Sequence, residues 1–213
     1  MKTIRVITIA REYGSGGAAL GQELATRLGW KLLDRELILE LARRAHVQPS
    51  EVSQMDEHPS SFIARLLKVF WLGNAYPWSG PAPEVVDPDY LAELSAIVIR
   101  EAAKLGQCVI VGRGAQCVLQ ERKDAFHVFV YGSRQDKLKR IQNRYPTDTE
   151  CEASLDEFDR IRAAYIRRYY HCDWTNRHLY SLMINSDAGI DQVVAVIFNA
   201  AGLVAPEKRD APL

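Results

Sequence analysis

The sequence has no long apolar run and little cysteine. Nowhere do eighteen apolar residues follow one another, so no stretch is long enough for a membrane-spanning helix. The four cysteines form no C-x-x-C pair, and no histidine stands at a spacing that suits zinc. Because the first residues are strand-like and lack an apolar leader, we expect a cytoplasmic protein with reduced thiols and no membrane partner.

The chain also lacks a net charge. Its 27 basic residues balance 27 acidic ones, so no overall positive field predicts binding to nucleic acid and no acidic excess predicts disorder. A length of 213 residues suits one α/β domain with a sizeable core and an inserted helical lobe. Any electrostatic role must therefore come from local clusters of charge.

A glycine-rich stretch follows the first strand pattern. The β-branched run at residues 4–9 leads to a segment with three glycines in four positions, and then to a helix pattern with leucines at 20, 24 and 28. Glycine lets a loop turn its backbone N–H groups toward an anion, and the helix adds the positive end of its dipole. The stretch therefore predicts a phosphate site formed by Arg11, Gly14, Ser15, Gly16 and Gly17.

Two other interpretations of this stretch stay open. The stretch is not a complete Walker A loop, which reads G-x-x-x-x-G-K-[ST], because alanines and Leu20 follow Gly17 here. The G-x-G-x-x-[GA] fingerprint of dinucleotide-binding folds fits Gly14, Gly16 and Ala19, with Asp34 twenty residues beyond the first glycine. The stretch is otherwise only a tight turn between a strand and a helix.

Further strand patterns alternate with helix patterns along the chain. They predict strands at 31–34, 107–111, 126–131 and 179–185, and helices at 35–45, 87–106, 115–121, 134–144, 154–170 and 191–201. This alternation is typical of a five-stranded parallel sheet with right-handed crossovers. Residues 46–88 interrupt it with six prolines and one clear helix at 62–72, and their aromatic residues are expected to stack on a base, to contact a second copy in a homodimer, or to cap a local core: Trp71, Tyr76 and Trp78.

Polar residues follow the second and third strands. Asp34 and Arg35 stand at the carboxyl end of a strand, where open sheets place ligand contacts, although an N-cap and a solvated arginine explain them equally well. Arg113 lies between two glycines directly after a buried strand. Its planar, permanently charged fork predicts contact with a phosphate or a base edge.

Two helix patterns near the end of the chain carry many cations. The pattern at 154–170 has an apolar stripe that includes Leu155, Phe158, Ile161, Tyr165 and Tyr169. Its other faces carry Arg160, Arg162, Arg167 and Arg168. These cations predict either a mobile lid over phosphates or a solvated face of intrahelical ion pairs.

With these elements placed, the sequence resembles the cytidylate kinase-like family of P-loop proteins. The matching stretches are residues 7–17 (ITIAREYGSGG), 33–38 (LDRELI), 109–114 (VIVGRG), 159–165 with 168–170 (DRIRAAY and RYY), and 180–185. The chain departs from true cytidylate kinases, which have Lys and Thr after the loop glycines and Asp after Gly-Arg, by having alanines and Gly114.

The resemblance implies a three-layer α/β/α P-loop kinase fold in a single domain, residues 1–213. The core would be 1–45 and 87–205, with a helical NMP-binding insertion at about 46–86 and an arginine-rich lid at about 144–175. It implies phosphate binding by the glycine loop and acceptor binding by Asp34, Arg35 and Arg113. The catalytic candidates are Asp34, Arg113, Arg160 and Arg162, and the lid candidates are Arg160, Arg162, Arg167 and Arg168.

The implied activity is transfer of the ATP γ-phosphoryl group to a nucleoside monophosphate or a similar small phosphorylated acceptor. Mg²⁺ is expected with ATP rather than in a cage of protein ligands. Because the lysine is missing, a lid arginine or Arg11 would have to replace it. A nucleotide-binding regulatory module without turnover is the alternative, and an NAD-dependent oxidoreductase is a more distant one.

Overall fold

The computed structural model describes residues 3–39, 87–145 and 151–204. The expected insertion at 46–86, with its helix and its aromatic residues, lies outside the described residues. Of the predicted helix at 35–45, residues 35–39 are described and are helical.

Five parallel strands form one sheet in the order β2-β3-β1-β4-β5. They are β1 (Val6–Arg11), β2 (Lys31–Leu33), β3 (Cys108–Val111), β4 (Ala125–Tyr131) and β5 (Leu182–Asn185). The strand β1 is central and pairs with β3 on one side and β4 on the other. The prediction of a five-stranded parallel sheet is confirmed.

Besides the helical residues 35–39, the described helices are α1 (Gly17–Leu28), α2 (Pro88–Leu105), α3 (Ala115–Val118), α4 (Arg134–Arg144), α5 (Cys151–Tyr170) and α6 (Ile190–Ala201). Residues at the helix ends explain where the helices begin and end. The carboxylate of Asp87 accepts a hydrogen bond from the backbone N–H of Asp89 at 2.9 Å, and Pro88 begins α2 where no N–H is needed. Gly29 ends α1 in the left-handed conformation, with φ 65°.

Side chains of β1 alternate between the two faces of the sheet, and helices cover both faces. Val6 belongs to a buried cluster with residues of α2 and α3, among them Leu94, Val98 and Ala115. Ile7 and Ile9 belong to a second cluster with residues of α1 and α6, among them Leu20, Leu24, Val194 and Ile197. The result is the predicted arrangement of helices, sheet and helices.

Three boundaries differ from the sequence-based expectation by three residues. The last strand begins at Leu182 rather than residue 179, because a 3-10 turn at Arg177–Leu179 precedes it. The helix α3 ends at Val118, and α5 begins at residue 151 instead of 154. Within the described ranges, no helix combines the length and apolar character needed to cross a membrane.

Parallel pairing places the carboxyl ends of all strands at one edge of the sheet. The glycine loop follows β1, Asp34 follows β2, and Gly112 follows β3. Because β1 and β3 are neighbours, the loops after them lie side by side at this edge. This edge is where the candidate site forms.

Candidate active site

The glycine loop is held by contacts that need small residues. Gly14 and Gly16 have φ of 77° and 79°, a region that glycine adopts without strain. A Cβ on Gly14 would lie 2.9 Å from the Ile141 side chain and 3.0 Å from the Lys137 carbonyl oxygen. The Ser15 hydroxyl donates to the Glu12 carbonyl at 2.8 Å, which closes the turn. Since the first turn of α1 holds no acidic residue, its N–H groups and dipole favour an anion.

A cavity of about 550 Å³ lies over this loop. Its walls come from the loop and the start of α1, from residues after β2, and from α4 and α5. They include Gly14, Gly16, Gly17, Ala18, Asp34, Arg35, Arg140, Arg144, Tyr145 and Arg162. Asp34 also caps the helical residues that follow it, since its carboxylate accepts the Leu37 N–H at 2.8 Å.

The segment Gly112–Gly114 has three consecutive residues with positive φ, and Arg113 itself has φ 53°. A left-handed backbone is unfavourable for arginine and indicates a constrained position. The Tyr170 hydroxyl donates to the Arg113 carbonyl at 3.0 Å, and the Arg113 guanidinium carbon lies 5.0 Å from the centre of the Tyr165 ring. Its buried Nε has no hydrogen-bond partner among the described residues.

A second cavity of about 220 Å³ lies against Arg113. Its walls include Arg11, Arg35, Arg113, Gln116, Phe158, Ile161, Arg162, Tyr165 and Trp174. None of the described residues that line it is acidic. Part of the predicted apolar stripe of α5 thus forms a wall of this cavity, and Phe158 and Ile161 are 42% and 51% exposed.

The two cavities share three arginines, Arg11, Arg35 and Arg162. Burial is the main reason that the pKa of Arg11 is lowered to about 10, and the charges of Arg162 and Arg35 contribute in the same direction. Burial also lowers the pKa of Arg162 and of Arg113. Guanidinium groups this close together favour an anionic ligand between the cavities.

Arg162 is tied to the glycine loop. Its Nη1 lies 2.9 Å from the Asp159 carboxylate and donates to the Arg11 carbonyl at 3.3 Å. The same carboxylate accepts the Tyr13 N–H at 2.7 Å. These contacts hold α5 against the loop and aim one arginine at the junction of the cavities.

The other lid candidates lie elsewhere in this structure. Arg160 is exposed and pairs with Glu157, while Arg168 is exposed and pairs with Asp89 on α2 at 2.8 Å. Arg167 is also exposed. None of these three lines either cavity, so the structure brings Arg162 alone of the four to the junction.

Sequence reasoning missed several residues that shape the site. Lys137 on α4 pairs with Glu12 of the loop at 2.8 Å. Arg140 donates to the Ser186 carbonyl at 2.9 Å, which links α4 to the turn after β5. Tyr165 was assigned to an apolar stripe, but its ring lies beside Arg113. Only the basic character of α4 was visible in the sequence.

Comparison with known proteins agrees with this architecture. A model of the cytidylate kinase-like family matches residues 6–188. The chain belongs to the cytidylate kinase-like family. No curated protein matches the sequence.

Two solved structures share the fold of this cytidylate kinase-like protein. An uncharacterized protein from Eubacterium ventriosum ATCC 27560 is 22% identical with a TM-score of 0.68, covering 94% of this chain and 99% of that one. Shikimate kinase from Bacteroides thetaiotaomicron is 16% identical with a TM-score of 0.52, covering 93% of this chain and 99% of that one. The fold is thus that of the P-loop kinases, as the resemblance implied.

Proposed function

We propose that this cytidylate kinase-like protein transfers the γ-phosphoryl group of ATP to a nucleoside monophosphate or a similar small phosphorylated acceptor. The observation that carries the proposal is the pair of cavities that share Arg11, Arg35 and Arg162. A phosphoryl group passing from one ligand to the other must cross that junction. Phosphoryl transfer needs mainly positioning and neutralised charge, which clustered guanidinium groups supply.

The larger cavity suits the donor. Its glycine loop and the start of α1 offer backbone N–H groups to phosphate oxygens, at Gly14, Gly16 and Gly17. Arg140 and Arg144 line another part of it and add positive charge, and Tyr145 offers an aromatic surface that is 46% exposed. These groups fit the polyphosphate and base of ATP.

Mg²⁺ is bound in such sites by one or two carboxylates together with the phosphates. Asp34 and Glu36 line the donor cavity and would supply those carboxylates, directly or through water. Ala18 has no hydroxyl to offer. When bound, the ion neutralises phosphate charge. Among the described residues, no group of three or more metal-ligating side chains is present.

The smaller cavity suits the acceptor. Arg113 and Arg35 would hold its phosphate, and the absence of acidic residues from the described lining favours an anion. Gln116 offers a buried Nε2 that has no partner among the described residues, and Trp174 and Tyr165 offer aromatic surface. Asp34 remains the proposed group that orients the acceptor from the neighbouring cavity.

The decisive experiment is ADP formation from Mg·ATP with a panel of nucleoside monophosphates, beginning with CMP. We expect turnover that depends on one acceptor and is lost in Arg113→Ala. Arg168→Ala is the matched control, because it removes an exposed arginine outside both cavities. Equal ADP release with and without every acceptor would contradict the proposal.

A nucleotide-binding module without turnover is the second candidate. Its support is the sequence after the loop, where Gly17 and Ala18 provide neither the lysine nor the hydroxyl of a Walker A motif. It predicts tight ATP binding without ADP release. An NAD-dependent oxidoreductase is less favoured, because the sheet order β2-β3-β1-β4-β5 differs from the 3-2-1-4-5-6 order of dinucleotide-binding folds.

A further inference from the structure

The structure fixes the register of the glycine loop. Gly16 adopts the left-handed conformation and α1 begins at Gly17, so Gly16 is the last loop residue before the helix. In the motif G-x-x-x-x-G-K-[ST], the second glycine lies five residues after the first, and the lysine follows it. Arg11 therefore stands at the position of the first glycine and Gly17 at that of the lysine.

These two positions compete for one space. A Cβ built on Gly17 would lie 2.6 Å from the Cβ of Arg11 and 2.8 Å from its Cγ. Contacts this short between a Cβ and a side-chain stem cannot be relieved by rotating a flexible tip. Only one of the two residues can carry a long side chain, and in this chain it is residue 11.

The Arg11 side chain leads from that space to the junction of the cavities. Its Nη1 lies so close to Gly112 that a Cβ there would approach it to 2.0 Å. The guanidinium thus reaches from the end of β1 to the loop after β3. Among the described residues, no carboxylate oxygen lies within 4.0 Å of it. The nearby charges of Arg162 and Arg35 oppose its own charge, and those of Glu36 and Asp34 favour it.

We propose that Arg11 supplies the cationic contact to the β- and γ-phosphates that a lysine at position 17 supplies in a Walker A loop. Relative to that motif, the cationic residue and the glycine have exchanged positions. Arg11 needs a residue without a Cβ at position 17, and Gly17 leaves the space that the Arg11 side chain fills. The inference rests on the proposed function, because it assumes that the larger cavity holds ATP. The guanidinium adds a planar, two-pronged contact where a lysine would offer a point charge.

Three variants test the exchange: Arg11→Gly, Gly17→Lys, and the double variant. The readout is calorimetric affinity for the Mg²⁺ complex of a non-hydrolysable ATP analogue, and Arg168→Gly controls for loss of an exposed arginine. We expect Arg11→Gly to weaken binding about tenfold or more, as for loss of a charge-assisted contact. We expect Gly17→Lys to bind poorly because of the crowding, and the double variant to recover most of the wild-type affinity.

The outcomes separate this inference from the proposed function. Unchanged affinity in Arg11→Gly, or a double variant that binds no better than Arg11→Gly while melting at a similar temperature, would overturn the exchange. If the exchange holds in binding but no acceptor is phosphorylated, the inference stands and the kinase proposal fails. If the wild-type protein does not bind the analogue, both are overturned.

Discussion

The Asp159 carboxylate on α5 accepts a hydrogen bond from the Tyr13 N–H in the glycine loop, with the two atoms 2.7 Å apart. These residues are 146 positions apart in the sequence, and their contact joins the long helix to the candidate phosphate site. Desolvation is the largest influence on this carboxyl group and raises its pKa above 3.8, although Tyr13 and Arg162 act in the other direction.

This raised pKa predicts how stability depends on pH. The folded protein binds the Asp159 proton more tightly than the unfolded chain does. The stabilisation that comes from this tighter proton binding is fully present below the unfolded pKa near 3.8, and it is lost as the pH rises through the raised pKa. We expect the stability of the wild type relative to Asp159→Asn to decrease over that rise. Urea unfolding of both proteins from pH 4 to pH 7 measures it, and a constant difference would contradict the assignment.

Two arginines of α5, Arg162 and Arg160, should differ strongly in their effect on turnover. We expect Arg162→Ala to reduce kcat by about 10³-fold or more, within the range of arginines that stabilise transferred phosphoryl groups. Arg160→Ala should stay close to wild type, because that side chain is exposed and pairs with Glu157. Steady-state kinetics of the two variants make a matched comparison, and an equal loss in both would indicate that α5 rearranges during the reaction.

Anions should stabilise the empty protein. Arg11, Arg35, Arg113 and Arg162 all line the smaller cavity without an acidic residue in its described lining. Binding of phosphate at one hundred times its Kd would add about 2.7 kcal/mol to the free energy of unfolding. Melting temperatures in phosphate and in chloride at equal ionic strength measure this, and Arg113→Ala should show a smaller difference between the salts. A variant that responds like the wild type would exclude Arg113 from the anion site.

The glycine after Arg113 should be much less tolerant of substitution than an ordinary left-handed glycine. Gly114 has φ 72°, and a Cβ there would lie 2.1 Å from the Tyr170 ring. Gly29 has φ 65° with no atom within 4 Å of such a Cβ, so Gly29→Ala should cost only the backbone strain of about 1–2 kcal/mol. We expect Gly114→Ala to lose clearly more in urea unfolding and also to impair acceptor binding. Equal losses would mean that Tyr170 moves aside freely.

The sequence predicted the parts of this structure that depend on neighbouring residues. The strand, glycine loop and helix at 6–28 follow from periodicity and from glycine, and the position of Arg113 follows from its place after a buried strand. The order of strands and the selection of Arg162 over Arg160 depend on tertiary packing. Helical spacing shows which residues share a face, but the contact with Tyr13 decides which face meets the site.

Gly17 is a second example of a feature that depends on tertiary packing and could not be predicted from the sequence. The sequence showed that a lysine was absent, and it left the lid arginines and Arg11 as candidate replacements. The separation of 2.6 Å between a Cβ on Gly17 and the Cβ of Arg11 is the observation from which we propose Arg11, and no pattern of residues contains that distance.

Analysis of the reaction products tests whether a phosphoryl group passes between the two cavities. The protein would be incubated with ATP labelled in its γ-phosphoryl group and with the acceptor that best promotes ADP formation. We expect the label to appear in the acceptor, with one phosphorylated product for each ADP. Label found only in inorganic phosphate, or left in ATP with every acceptor although nucleotides bind, would contradict it.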